Sequence, residues 1–257
     1  MTIYQTYHKD VLKKYILNVP WIKPYFVLGD HDDININYLH PYINEFSCLY
    51  SKYINKSHND NDVIGFCHYS KIFNIKDSDI PDIENNVLNN GMVYGLGTYN
   101  TTDEIKNVLM YKEKENDLYI KIYDFLKAKY PHLLERFVNT EWDDKLIRFE
   151  SYICKFSDHC NFVKFVLDFF NYHNLNLEEA NEFDIVSNLN NFIIDYYNQR
   201  GHRWYYGQHW RKLSFMIEVL CAIYWKLIDK RINIIGGWKN NSFWKEMREK
   251  NPISDFW

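Results

Sequence analysis

The stretch DVIGFCHYSKIF, Asp62 to Phe73, starts as an apolar strand and ends in His68, Tyr69, Ser70 and Lys71. Four consecutive residues thus carry an imidazole, a phenol, a hydroxyl and an amine, groups that exchange protons, donate hydrogen bonds and supply positive charge. A second polar set follows the segment TIYQTY, where Thr6 and Tyr7 lead into His8 and Lys9. In an open α/β sheet, ligands bind in the crevice beyond the carboxyl ends of the strands. Both sets are therefore expected at the mouth of one crevice. A plainer reading stands beside this one: His68 as a hydrogen-bonded structural histidine, Lys71 and Lys9 as solvated amines, and Tyr7 as a packing residue.

The surrounding sequence supplies the elements that would hold those residues. Thr2–Tyr7 reads as a strand, VLKKYIL as a helical segment, and PYFVLG as a second strand ended by Gly29 and the acidic turn DHDD. PYINEFSCLYSKYIN reads as a helix, because Ile43, Phe46, Leu49, Tyr50 and Tyr53 recur at i+3/i+4 spacing and make one apolar face. Glu45 lies at the border of that face, where it could orient His68, meet a ligand hydroxyl or form a boundary salt bridge. A polar joint, NKSHNDND, then leads into the strand VIGFCHY. Strand, helix, strand, helix, strand is an α/β order with a mostly parallel sheet. The second half is richer in helix: NDLYIKIYDFLKAKYPHLLERF broken at Pro131, DHCNFVKFVLDFFNYH, ANEFDIVSNLNNFIIDYYNQR and RKLSFMIEVLCAIYWKL, with KLIRFESYICKF as a strand among them.

Composition narrows the classes. The chain has 257 residues, 46% of them hydrophobic, and a formal charge of −4, enough for one substantial core and too acidic overall for the basic stripe of a nucleic-acid binder. Aromatic residues make up 18%, with Tyr more numerous than Phe, which suits wet clefts and interfaces. The opening MTIYQTYHKD has no apolar core of a leader peptide, and no run approaches the ~20 apolar residues that span a bilayer. Cys48, Cys67, Cys154, Cys160 and Cys221 show no CxxC spacing, as expected of reduced thiols in a cytoplasmic protein.

Two further features carry chemistry. Glu218 is the only charge in FMIEVLCAIYW, so it is expected to be at least partly buried and to need a partner, with Arg211, Arg203, His209 or a ligand hydroxyl in reach by chain position. HRWYYGQHW, His202 to Trp210, combines indole and phenol faces with hydrogen-bond donors, which suits stacking on the C–H faces of a sugar, a packed corner or an oligomer contact.

Several segments, taken together and in order, resemble the DUF4422 family, grouped with glycosyltransferases of polysaccharide and capsule loci. IYQTYHK matches the family's opening strand into His-Lys. NIN, Asn35 to Asn37, followed by EFSCLYSKYIN matches its Asn-Ile-Ser segment and following helix. GFCHYSKIF matches its Gly-x-x-His-Tyr-Arg-Arg-Tyr-Phe hallmark, and RKLSFMIEVL, from Arg211, its late Arg-x-x-Gly-Phe-x-x-Glu-Arg-Leu. Ser70 and Lys71 replace the hallmark's two arginines, Asn37 replaces Ser, Ser214 replaces Gly and Val219 replaces Arg. Lys71 keeps one positive charge without the bidentate guanidinium suited to phosphate.

The resemblance implies a GT-A-like, Rossmann-type α/β domain over 1–257, with a nucleotide-sugar-binding half (1–100) and a helix-rich acceptor half (101–257). It implies transfer of a sugar from a nucleoside-diphosphate donor, UDP-linked, to a hydroxyl of a glycan or glycoconjugate. A non-catalytic carbohydrate-binding or scaffold protein is the alternative. Donor binding is then assigned to Thr6, Tyr7, His8, Lys9, Asn35, Glu45, His68, Tyr69 and Arg211. His68 would ligate metal or donate to phosphate, and Lys71 would supply charge to the leaving diphosphate. Glu150, Asp144 and Glu218 are the carboxylates assigned to catalysis beside Lys71, with Asp143 a neighbouring competitor. No residue is assigned as a metal ligand. A divalent ion, Mn2+ or Mg2+, stays open; DHDD (Asp30 to Asp33) and DSD (Asp77 to Asp79) are acidic runs that solvated turns explain better than metal sites. Homo-oligomerisation also stays open.

Overall fold

The fold was determined as a computed structural model. It describes residues 1–29, 34, 39, 43–97, 117–140, 142, 146–147, 151–177, 212–228 and 230–239. Asn35, Asp143, Asp144, Glu150, Arg211, the DHDD run, the segment 180–200 expected to be helical and the aromatic segment 202–210 lie outside these residues.

The strands are β1 (Thr2–Tyr7), β2 (Ile22–Phe26), β3 (Val63–His68), β4 (Lys71–Phe73), β5 (Met92–Gly97), β6 (Tyr152–Lys155) and β7 (Arg231–Lys239). Their order across the sheet is β2-β1-β3-β6-β5-β7-β4. β1 is parallel to β2 and β3, and β7 is parallel to β5. β6 runs antiparallel to both β3 and β5, which makes β5 parallel to β3. The five strands β1, β2, β3, β5 and β7 thus share one direction, and only β6 and β4 oppose it. The α/β class is the fold observed, but the sheet expected to be mostly parallel is mixed, because β6 and β4 make three of its six described pairings antiparallel. β6, from the second half of the chain, sits between two strands of the first, so one sheet joins both halves.

Side chains alternate between the faces of the sheet with the period of two that a strand imposes. Along β3, Ile64 and Phe66 enter the larger core, while Val63 and Cys67 enter the smaller one. The larger core lies under α1 (Phe46–Ile54), α3 (Asp117–Lys129), α4 (Pro131–Asn139), α5 (Phe156–Tyr172) and α6 (Lys212–Leu227). The smaller core lies under α2 (Ile80–Asn90), through Ile83 and Val87. The sheet is covered on both faces, as parallel strands require.

Local sequence explains most boundaries. Pro131 lacks the N–H that would continue α3 and begins α4 instead, so the helix breaks there as expected. Gly91, at φ 61, adopts the left-handed conformation that stops α2 and lets β5 begin one residue later. The segment expected to be helical after β1 is a 3-10 turn, Asp10–Tyr15, too short for a helix before the chain re-enters the sheet. Within KLIRFESYICKF, expected as one strand, the described strand is Tyr152–Lys155, and Phe156 already starts α5. Gly65, inside the HYSK-bearing strand, sits where a Cβ would meet Ile153 Cγ1 at 2.9 Å and the Tyr152 carbonyl oxygen at 3.0 Å. No larger residue fits between β1 and β6 at that point.

Candidate functional site

The register sets the site. Thr6 pairs with His68, so the carboxyl ends of β1 and β3 lie side by side. Beyond them the chains stay joined: the Tyr69 N–H donates to the Thr6 carbonyl at 3.0 Å, and the Thr6 hydroxyl donates to the Cys67 carbonyl at 3.3 Å. The His8 ring lies 5.6 Å from the Tyr69 ring, and the His68 ring 3.8 Å from it, measured between centroids. Tyr69 thus sits between the two histidines, and the HK and HYSK segments occupy one edge of the sheet.

Thr6, Tyr7 and Tyr69 are buried. Tyr7 stacks on Phe26 with centroids 5.1 Å apart and packs with Leu12, Tyr15 and Tyr69 in a small cluster beneath the strand ends. Burial, helped by the charge of Asp10, pushes the Tyr7 phenol above its ordinary value. That is the placement of a packing residue. His8 and Lys9 follow it at the surface side of the edge, half-buried.

Glu45 reaches the site from the start of α1. Its Oε1 lies 2.9 Å from Nε2 of His68. The other ring nitrogen, Nδ1, lies 2.6 Å from the Ser70 hydroxyl, and the Ser70 backbone N–H also points to it at 3.3 Å. Both nitrogens of His68 are therefore engaged by protein groups. A metal ion or phosphate taking either one would have to displace Glu45 or Ser70. The sequence marked Ser70 as the hydroxyl of the polar quartet and as a departure from the family pattern, but nothing in residue type announced its contact with an imidazole two positions back.

Two devices hold Glu45 in place. Asn44 precedes it at φ 44, a left-handed conformation that Asn tolerates better than most residues, and the Ser47 hydroxyl donates to the Asn44 carbonyl at 2.6 Å. One helical turn further on, His159 of α5 pins α1 from below: Nε2 lies 3.0 Å from the Leu49 carbonyl, and Nδ1 2.8 Å from the Tyr152 hydroxyl of β6. A carbonyl only accepts, so Nε2 carries the proton and Nδ1 accepts from the tyrosine. Complete burial holds this imidazole at about 3, so it is neutral.

The remaining assignments are spread more widely. Lys71 opens β4, half-buried, immediately after the Tyr69–Ser70 turn. The β4–β7 register sets Lys239 opposite it, a position that no sequence motif marked. Glu218 is half-buried on α6, as its apolar setting suggested. The DSD run forms a 3-10 turn in which Asp77 Oδ1 accepts from the Trp21 indole at 2.8 Å and Asp79 Oδ2 from the Lys76 N–H at 2.9 Å. Both carboxylates thus serve local structure. Among the described residues no group of three His, Cys, Asp or Glu side chains converges as a metal site. A polar cavity of about 370 Å³ lies at the opposite, amino-terminal edge of the strands, lined by residues that include Thr2, His58, Asp62 and Glu84. Glu84 is engaged there by the Met1 amine, and Asp62 by His58 at 3.4 Å. The five cysteines are thiols outside any disulfide, and no helix among the described residues is long and apolar enough to cross a membrane.

The class this architecture defines is the α/β, GT-A-like fold. Among solved structures, the chain is similar to the apo form of WbbM, a bifunctional glycosyltransferase, with a TM-score of 0.57 at 14% identity over 92% of this chain. The chain spans 45% of that protein's length. No family model matches the chain, and no curated protein matches it.

Proposed function

We propose that the protein is a glycosyltransferase of DUF4422 type that moves a sugar from a nucleoside-diphosphate donor, UDP-linked, to a hydroxyl of a glycan or glycoconjugate. The observation that carries this reading is the convergence of the HK and HYSK segments at one carboxyl edge of a sheet whose fold is shared with a glycosyltransferase. That edge is where an open α/β sheet takes its ligand.

In this reading His8, Lys9 and Lys71 supply positive charge and hydrogen-bond donors to the diphosphate, and Glu45 meets a sugar or ribose hydroxyl. Lys71 gains importance as negative charge grows on the departing diphosphate. Asn35 and Arg211 complete the donor side, and Glu150, Asp144 or Glu218 serves as the carboxylate on the acceptor side. A divalent ion, where one takes part, is not held by His68, whose nitrogens are both occupied. The five thiols suit a cytoplasmic site of action.

Thermal shift with UDP-sugars, GDP-sugars and ADP-sugars, with and without manganese, tests the reading directly. Stabilisation by a UDP-sugar with slow hydrolysis of that donor is the expected result. Binding of free glycans with no response to any nucleotide sugar would favour the carbohydrate-binding alternative.

A further inference from the structure

Glu45, His68 and Ser70 form a continuous chain: carboxylate, imidazole, hydroxyl, at 2.9 and 2.6 Å. The proton positions follow from the partners. A carboxylate accepts, so Nε2 of His68 carries a proton toward Glu45. The Ser70 backbone N–H can only donate, and it points at Nδ1. Nδ1 is therefore an acceptor, and the Ser70 hydroxyl donates to it as well. A doubly protonated ring would set its own N–H against the backbone N–H. Exposure falls along the chain, from 29% for the Glu45 side chain to 15% for His68, and Ser70 is buried. The carboxylate is the end that a ligand meets, and the hydroxyl is the anchored end.

We propose that Ser70 is a positioning residue that fixes His68 as its neutral Nε2–H tautomer and so holds the Glu45 carboxylate aimed at a ligand hydroxyl. The ring is locked by two donors from one residue on Nδ1 and by one acceptor on Nε2. Without the Ser70 hydroxyl, only the longer N–H contact would hold Nδ1, and the tautomer preference and ring angle would relax. A threonine keeps the hydroxyl and serves as the conservative control. The tautomer assignment stands on the geometry alone; its use on a hydroxyl-bearing ligand rests on the reading of the site proposed above.

The test is 15N NMR of imidazole-labelled protein, with His68→Gln to assign its signals. Wild type should show the Nε2–H pattern at mildly alkaline pH. Ser70→Ala should shift the two ring-nitrogen signals toward a tautomer mixture, and Ser70→Thr should restore them. An Nδ1–H pattern in wild type, or an unchanged pattern in a folded Ser70→Ala protein, overturns the proposal. Where a nucleotide-sugar donor is turned over, Ser70→Ala should lower kcat by about 10- to 100-fold with a much smaller change in donor KM, the scale seen when a partner that orients a functional histidine is removed. Unchanged kcat in Ser70→Ala overturns the functional half. Absence of turnover with every nucleotide sugar in wild type counts against the glycosyltransferase reading and leaves the NMR result to decide the tautomer.

Discussion

Lys71 is where residue type, position and proposed chemistry meet most directly. It stands at the first position of β4, half-buried, one residue past a hydroxyl that locks His68. Only an interaction that strengthens as the reaction proceeds accelerates it, and a lysine facing a departing diphosphate is of that kind. Lys71→Met keeps the stem and removes the charge. It is expected to lower turnover by ~10²–10³, the usual cost of one preorganised donor, with a smaller loss of donor affinity. Lys71→Arg is expected to retain activity. Steady-state turnover beside calorimetric donor affinity for both variants checks this, and wild-type turnover in Lys71→Met would make the residue an ordinary surface lysine.

Two elements set the geometry of the edge, and each makes a prediction. β3 is squeezed between β1 and β6 at Gly65, where the nearest atoms include backbone as well as the side chains of Ile3 and Ile153. Gly65→Val must push strands apart, with a cost of about 1–3 kcal/mol of the overpacking kind. Urea denaturation should show a lowered midpoint, and a shift in the spectrum of His68 would show that the strain reaches the site. Helix α1, which carries Glu45 at its start, is pinned by His159. The unfolded chain takes up a proton at this histidine below about 6.5, whereas the folded chain resists it until about 3. Stability is therefore complete above 6.5 and falls as pH drops through that window, by a few kcal/mol at most. His159→Gln should be less stable at pH 7 and show a flatter loss between pH 6.5 and 4, read from urea midpoints across that range. An equal acid slope in both proteins would assign the effect to other groups.

At the scale of the whole molecule, the sheet brings distant segments together at one edge. β1 and β3 are separated by more than fifty residues of chain yet share a register, and β6 and β7 enter the same sheet from the second half. A donor bound at that edge should therefore stabilise the molecule as a unit, by mass action. UDP is expected to bind more tightly than ADP or GDP, in line with the family resemblance, and calorimetry with the three nucleotides checks it. A clear preference for a purine nucleotide would reassign the donor.

Much of this was legible in the sequence, because it depends on local periodicity. The β1 and β3 strands, the Pro131 break and the apolar face of α1 all follow from side-chain spacing and backbone chemistry that a short window contains. The positions of the HK and HYSK sets after strand ends were legible for the same reason. Other features depend on contacts between residues far apart in the chain. β4, β5, β7 and α2 were not among the expected elements, although Ile80, Ile83 and Val87 recur on one face of α2 and Ile232 and Ile234 alternate with exposed residues along β7. The insertion of β6 antiparallel between β3 and β5 has no local signature at all. The tie between Glu45 and His68 could be suspected from types, but its 2.9 Å distance needs α1 to be seated on the sheet by His159, a contact spanning 110 residues. Ser70 shows the limit most plainly. Its neighbour in sequence is fixed, but whether its hydroxyl meets the imidazole or solvent depends on how the turn after β3 is held against Thr6, and long-range packing alone decides that.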